Sequence, residues 1–135
     1  MKEIKFEFLE HTADIKYRLY GSTLNEIFEN SVLAIASYMS EKPIKKAKIK
    51  TLEVSGQDSQ SLLCNFIDEL LYLIDAEGFI AREAKVLMRG NNLKAELYGD
   101  DIKNYSMIHI KAATYSEMYI KKSEDGWEAQ IVLDV

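Results

Sequence analysis

Beyond Gly78 the apolar pattern settles to a period of two, in runs joined by turns only a few residues long. Runs over 79–89 and 93–98 flank Gly90-Asn91-Asn92, and a run over 108–121 is joined through Glu124-Asp125-Gly126 to one over 127–133. Strands connected so tightly pair antiparallel, because a parallel partner needs a crossover of a dozen residues or more. The first half of the chain differs. Alternating runs at Ile4, Phe6, Phe8 and at Ile15, Tyr17, Leu19 lead past Gly21 to Thr23-Leu24-Asn25-Glu26, a capping box opening a helix to about Met39. Leu24, Ile27, Phe28, Val32, Ile35 and Met39 form its apolar stripe.

The pattern then recurs: a strand over 48–54, Gly56, a cap at Asp58, and a second helix ending near Gly78. In that helix Leu63, Phe66, Ile67, Leu70, Leu71 and Ile74 share a face, while Asn65, Asp68, Glu69 and Asp75 fall outside it. Helices segregated to the first half and antiparallel strands elsewhere predict an α+β two-layer sandwich, a mostly antiparallel sheet with two amphipathic helices packed on one face. The two strand, glycine, cap and helix units form a weak internal pseudo-repeat.

With 135 residues and no linker, the expectation is one domain spanning 1–135. Hydrophobic residues make up 47% of the chain and proline occurs once, so a mainly disordered chain is excluded. Seventeen basic against twenty-two acidic residues give a net charge of −5, the wrong sign for tight direct binding to nucleic acid. The lysine run Lys42, Lys45, Lys46, Lys48 and Lys50 is read as a solvated strand face guarding a sheet edge. Cys64 is alone, so no internal disulfide can form and a reducing, cytoplasmic setting is expected. No run approaches the ~18 apolar residues of a membrane span, and the N-terminal residues do not read as a targeting signal.

Neither a phosphate loop, a dinucleotide fingerprint, HExxH nor CxxC occurs. Acids offer the chemistry instead. Asp14 opens a strand and Asp134 closes the last one, with Val135 and its carboxylate beside it. If first and last strands are neighbours, these anions converge and call for a proton or a hard cation such as Mg²⁺ or Ca²⁺. The alternative is that both are solvated. His11 is either a proton carrier near carboxylates or a structural donor. Lys111, within Ile110-Lys111-Ala112-Ala113-Thr114-Tyr115, either snorkels to water or neutralises a nearby anionic cluster.

Taken together, these segments resemble the archease family from end to end. The resemblance rests on His11-Thr12-Ala13-Asp14-Ile15; Gly21 with Leu24, Glu26 and Phe28; Val54, Gly56 and Asp58; Leu62-Leu63; and Glu69-Leu70-Leu71-Tyr72-Leu73. Lys111-Ala112 with Thr114-Tyr115, Gly126-Trp127 with Ala129, and Leu133-Asp134-Val135 complete it. It implies a non-catalytic, cytoplasmic protein of tRNA splicing that activates an RtcB-type RNA ligase by promoting ligase guanylylation and multiple turnover. It also implies a divalent site (Ca²⁺, or Mg²⁺/Mn²⁺) on Asp14, Asp134 and Val135, with His11 and Lys111 beside the metal or touching the partner. Two departures stand out: Lys16 replaces the glycine expected after Asp-Ile, and Ser116 replaces a histidine expected after Thr-Tyr. Two other classes remain open, a chaperone or modulator of a tRNA-modifying enzyme and a small metal-dependent hydrolase.

Overall fold

The computed structural model describes residues 4–9 and 14–135. In chain order the elements are β1 (Phe6–Leu9), β2 (Ile15–Gly21), α1 (Leu24–Met39), β3 (Lys48–Ser55), α2 (Ser59–Glu77), β4 (Phe79–Arg89), β5 (Asn92–Asp101), one 3₁₀ turn (Ile102–Asn104), β6 (Ala112–Ser123) and β7 (Gly126–Asp134). The α+β class read from the sequence holds, and every strand pairing is antiparallel. The strands divide between two sheets, ordered β1-β2-β7-β6 and β3-β5-β4.

Both helices start where the sequence placed them. The Thr23 hydroxyl accepts from the Glu26 amide at 3.2 Å, and the Glu26 carboxylate reaches one residue past the cap to accept from the Ser22 amide. Asp58 and Ser61 form a reciprocal capping box, and Gly78 ends α2 at a φ of 64°, a left-handed cap that glycine adopts without strain. Each helix touches both sheets: α1 packs on β2 and β4, and α2 on β6, β3 and β4. This is why both bury more than a single stripe, with Phe28, Val32 and Ile35 on α1 and Leu63, Phe66 and Leu71 on α2 in one core with Tyr17, Leu97 and Ile131. Side chains of α1 also close the free edge of β4: Asn25 donates to the Val86 carbonyl and Glu29 accepts from the Val86 amide, each at 2.8 Å.

Two local expectations are corrected. The strand expected over 108–121 begins at Ala112: the Ile108 amide is engaged by the Met39 carbonyl, and 108–111 runs along the surface as irregular chain with only Ile110 buried. The lysines of β3 are not on its solvent face. Lys48 and Lys50 alternate in step with the half-buried Leu52 and Val54, beyond the end of α2, where Lys50 pairs with Glu77 and Lys48 with Asp101 at 3.7 Å. Lys46 pairs with Glu83 at 3.1 Å, so much of the basic run is neutralised within the chain.

Candidate functional site

Three strand ends meet at one end of the four-stranded sheet: the start of β2, the end of β7 and the start of β6. The register pairs Ile15 with Leu133 and Ala112 with Asp134. Asp14, at a bend, directly precedes the first of these pairs, and Asp134 directly follows its partner Leu133. Along the strands, Ile15, Tyr17 and Leu19 and their partners Leu133, Ile131 and Ala129 fill the core, leaving the intervening positions on the opposite, outer face. Asp14 is half-buried, Asp134 exposed, and Val135 follows directly at the surface. The structure thus brings Asp14, Asp134 and Val135 to one place; His11 lies outside the described residues.

Lys111 is anchored to the same place through its backbone. Its amide donates to the Asp134 carbonyl at 2.8 Å, while the next amide but one, of Ala113, donates to the Asp68 carboxylate of α2 at 3.1 Å. The small Ala112-Ala113 pair lets β6 start in the narrow space between β7 and α2. The Lys111 side chain is exposed and, among the described residues, its ammonium pairs with no carboxylate. Of the two readings of this lysine, neutralisation of the aspartates through a direct ion pair is not what the structure shows.

Sequence reasoning missed the feature that borders the site. Between Thr114, paired with Val132, and Tyr119, paired with Gln130, β6 leaves the ladder and lays residues 115–118 against the single residue Ile131. Glu117 sits at a φ of 54°, rare for a residue with a side chain, and is held there by neighbours. Its carbonyl accepts from the Gln130 amide group at 2.8 Å, and its carboxylate pairs with Lys16 at 2.9 Å. The same excursion exposes Tyr115 to 59% and lays Met118 on Cys64 of α2. Burial and then Asp68 push the Cys64 thiol up to about 11, which leaves it a packed, unreactive group at neutral pH. No glycine or proline punctuates 114–119, so no turn signal marked the excursion in advance.

Farther along the outer face, Tyr20 donates to Glu7 and Tyr119 to Glu128, and Arg18 donates to Gln130 at 3.1 Å. Burial, reinforced by the paired carboxylate, pushes both tyrosines up to about 12, so they stay protonated donors. These groups satisfy one another.

Asp14 and Asp134 supply hard oxygen donors from neighbouring strands, the donor class that Ca²⁺, Mg²⁺ and Mn²⁺ take, and the residues present fit such an ion. Among the described residues no third acidic, histidine or cysteine side chain joins them into a closed cage. An ion held here would keep open positions for water or for an anionic group from outside.

The profile of the Archease protein family matches residues 6–135. The protein archease of Pyrococcus abyssi is 39% identical over 140 residues, covering 97% of this chain and 99% of that protein. The protein archease of Methanosarcina barkeri is 36% identical, covering 97% and 96%. Among solved structures, Methanobacterium thermoautotrophicum protein 1598 superposes with a TM-score of 0.79 at 29% identity, covering 97% of this chain and 99% of that one. A Thermotoga maritima archease, described as a possible chaperone, shares the fold at a TM-score of 0.69 and 20% identity, covering 100% and 98%.

Proposed function

Since this chain belongs to the archease family, we propose that it is a non-catalytic activator of an RtcB-type tRNA-splicing RNA ligase, promoting ligase guanylylation and multiple turnover through the Asp14–Asp134 end of its four-stranded sheet. The observation that supports this reading is the register of β2 against β7, in which Ile15, next to Asp14, pairs with Leu133, next to Asp134, at an exposed strand end. Asp14, Asp134 and an oxygen of Val135 would hold a divalent cation there. Such an ion supplies charge neutralisation and Lewis acidity toward phosphate oxygens.

The chain's own residues do the positioning. Asp14 and Asp134 would present two oxygen donors from the adjoining ends of an antiparallel strand pair. Lys111, tied by its amide to Asp134 and exposed, offers a cation at the rim of the site for an anionic group of the partner. The placement at an exposed strand end supports contact with a macromolecule. No helix among the described residues is long and apolar enough to cross a membrane.

The test is to follow guanylylation of a cognate ligase with GTP, with and without this protein. Wild-type protein should speed the reaction and sustain repeated turnover. Asp14→Ala and Asp134→Ala should each lower that stimulation at least about tenfold, a loss of about 1.4 kcal/mol, while circular dichroism stays native. Full stimulation by both variants would remove the carboxylates from the function, and no stimulation by wild type would remove the ligase.

A further inference from the structure

Lys16 stands two residues beyond Asp14 on β2, opposite Val132 of β7. Strand alternation puts it on the outer face with Asp134, which is its diagonal cross-strand neighbour, about 7 Å away between side-chain origins. Its side chain is only 18% exposed and its ammonium reaches across β7 to the Glu117 carboxylate at 2.9 Å, on the excursion of β6. A half-buried cation, paired with Glu117, therefore lies on the same strand pair as the two aspartates. We propose that Lys16 sets the affinity of the Asp14–Asp134 site for a divalent cation, and that Glu117 tunes this effect by neutralising Lys16. The inference rests on the cation reading given above.

The physical basis is Coulomb repulsion. A unit charge within one Debye length of a divalent ion and partly shielded from water weakens binding by a factor readable in a titration. Glu117 counters it by holding the ammonium toward β6. This gives the left-handed backbone at Glu117 a purpose, since that conformation aims the carboxylate back over the sheet while its carbonyl is tied to Gln130. Two substitutions on different strands should then act with opposite signs on one equilibrium. A purely structural salt bridge would not do so, because losing either partner would have the same effect.

Calorimetric titration of the whole chain with Ca²⁺, repeated with Mg²⁺ and Mn²⁺, tests this. Lys16→Met, which keeps the packed stem, should tighten binding about 3- to 30-fold, and Lys16→Arg should leave it as in wild type. Glu117→Gln should weaken binding, and the double variant Lys16→Met with Glu117→Gln should bind like Lys16→Met alone, since Glu117 acts through Lys16. If Lys16→Met does not fold, Lys16→Gln replaces it, with melting curves confirming the native state. Equal affinities across wild type, Lys16→Met and Glu117→Gln would overturn the role of Lys16 and leave the cation. No isotherm from any of them would overturn the cation reading and this proposal together.

Discussion

Each sheet contains one place where a strand leaves the ladder, and the two breaks are built differently. In the three-stranded sheet the break is one residue, Arg82, between Ala81 opposite Gly99 and Glu83 opposite Tyr98. It is pinned from inside: Gly99 is buried, its carbonyl accepts from the Ala47 amide at 2.9 Å, and the adjoining Asp100 carboxylate, 6% exposed, accepts from the Tyr105 hydroxyl at 2.6 Å and from the Asp101 amide at 2.8 Å. In the four-stranded sheet the break lays four residues against one, stands largely in solvent, and is held by the Gln130 bond and the Lys16–Glu117 pair. The small bulge bends a strand for packing. The large one displays exposed side chains, and it is held by one side-chain bond and one partly exposed ion pair, contacts that contribute little to stability.

The strongest way to break this contrast is to add one carbon at Gly99. A Cβ there would lie 1.9 Å from the Ile80 carbonyl oxygen, a backbone atom that cannot swing aside. Gly99→Ala should cost roughly 3 kcal/mol or more, read as a melting temperature lowered by some ten degrees.

A second test uses pH on the same knot. The Tyr105 hydroxyl, then the Asp101 amide, hold the Asp100 carboxyl below the usual carboxylate range. Its contribution is therefore fully present above about pH 4, the ordinary value for an unfolded aspartate, and is lost as pH falls through the lower folded value. Asp100→Asn should lower the melting temperature at pH 7 by less than Gly99→Ala does, and should flatten the acid limb of the wild-type stability profile. An acid limb of unchanged steepness in Asp100→Asn would show that other carboxylates carry it.

The smallest effect is expected at the large excursion. Glu117→Gly removes a side chain, the ion pair and the left-handed strain together, and should change stability by less than about 1 kcal/mol, because an exposed pair and a relieved φ nearly offset each other. A loss as large as that of Gly99→Ala would mean that residues 115–118 are part of the core framework and would erase the difference between the two breaks.

How much of this was legible beforehand follows the range of the interactions. The caps at Thr23 and Asp58, the stop at Gly78, the hairpin turns and the antiparallel class all depend on residues within a few positions of one another, and periodicity exposes them. The candidacy of Asp14 and Asp134 was also legible, through position at strand ends and through the family resemblance, but only on the condition that first and last strands are neighbours, whereas it is the second strand, β2, that lies beside β7. The register Ile15 with Leu133 makes that pairing, across more than a hundred residues of chain.

What only the tertiary structure decided lies where two distant segments share one surface. Splitting the strands into two sheets, with helices touching both, follows from how much apolar surface each helix must bury, a property of the assembled core and not of any window of sequence. The inward parity of Lys48 and Lys50 depends on where α2 ends above them. The excursion at 115–118 has no local signal because it is held by Gln130 of β7 at the Glu117 carbonyl and by Lys16 of β2 at the Glu117 carboxylate, side chains whose own positions are set by the ladder. Local rules specify which elements form, because their energies are local; the surroundings of Asp14 and Asp134 are specified by long-range contacts, and these exist only once the chain has folded.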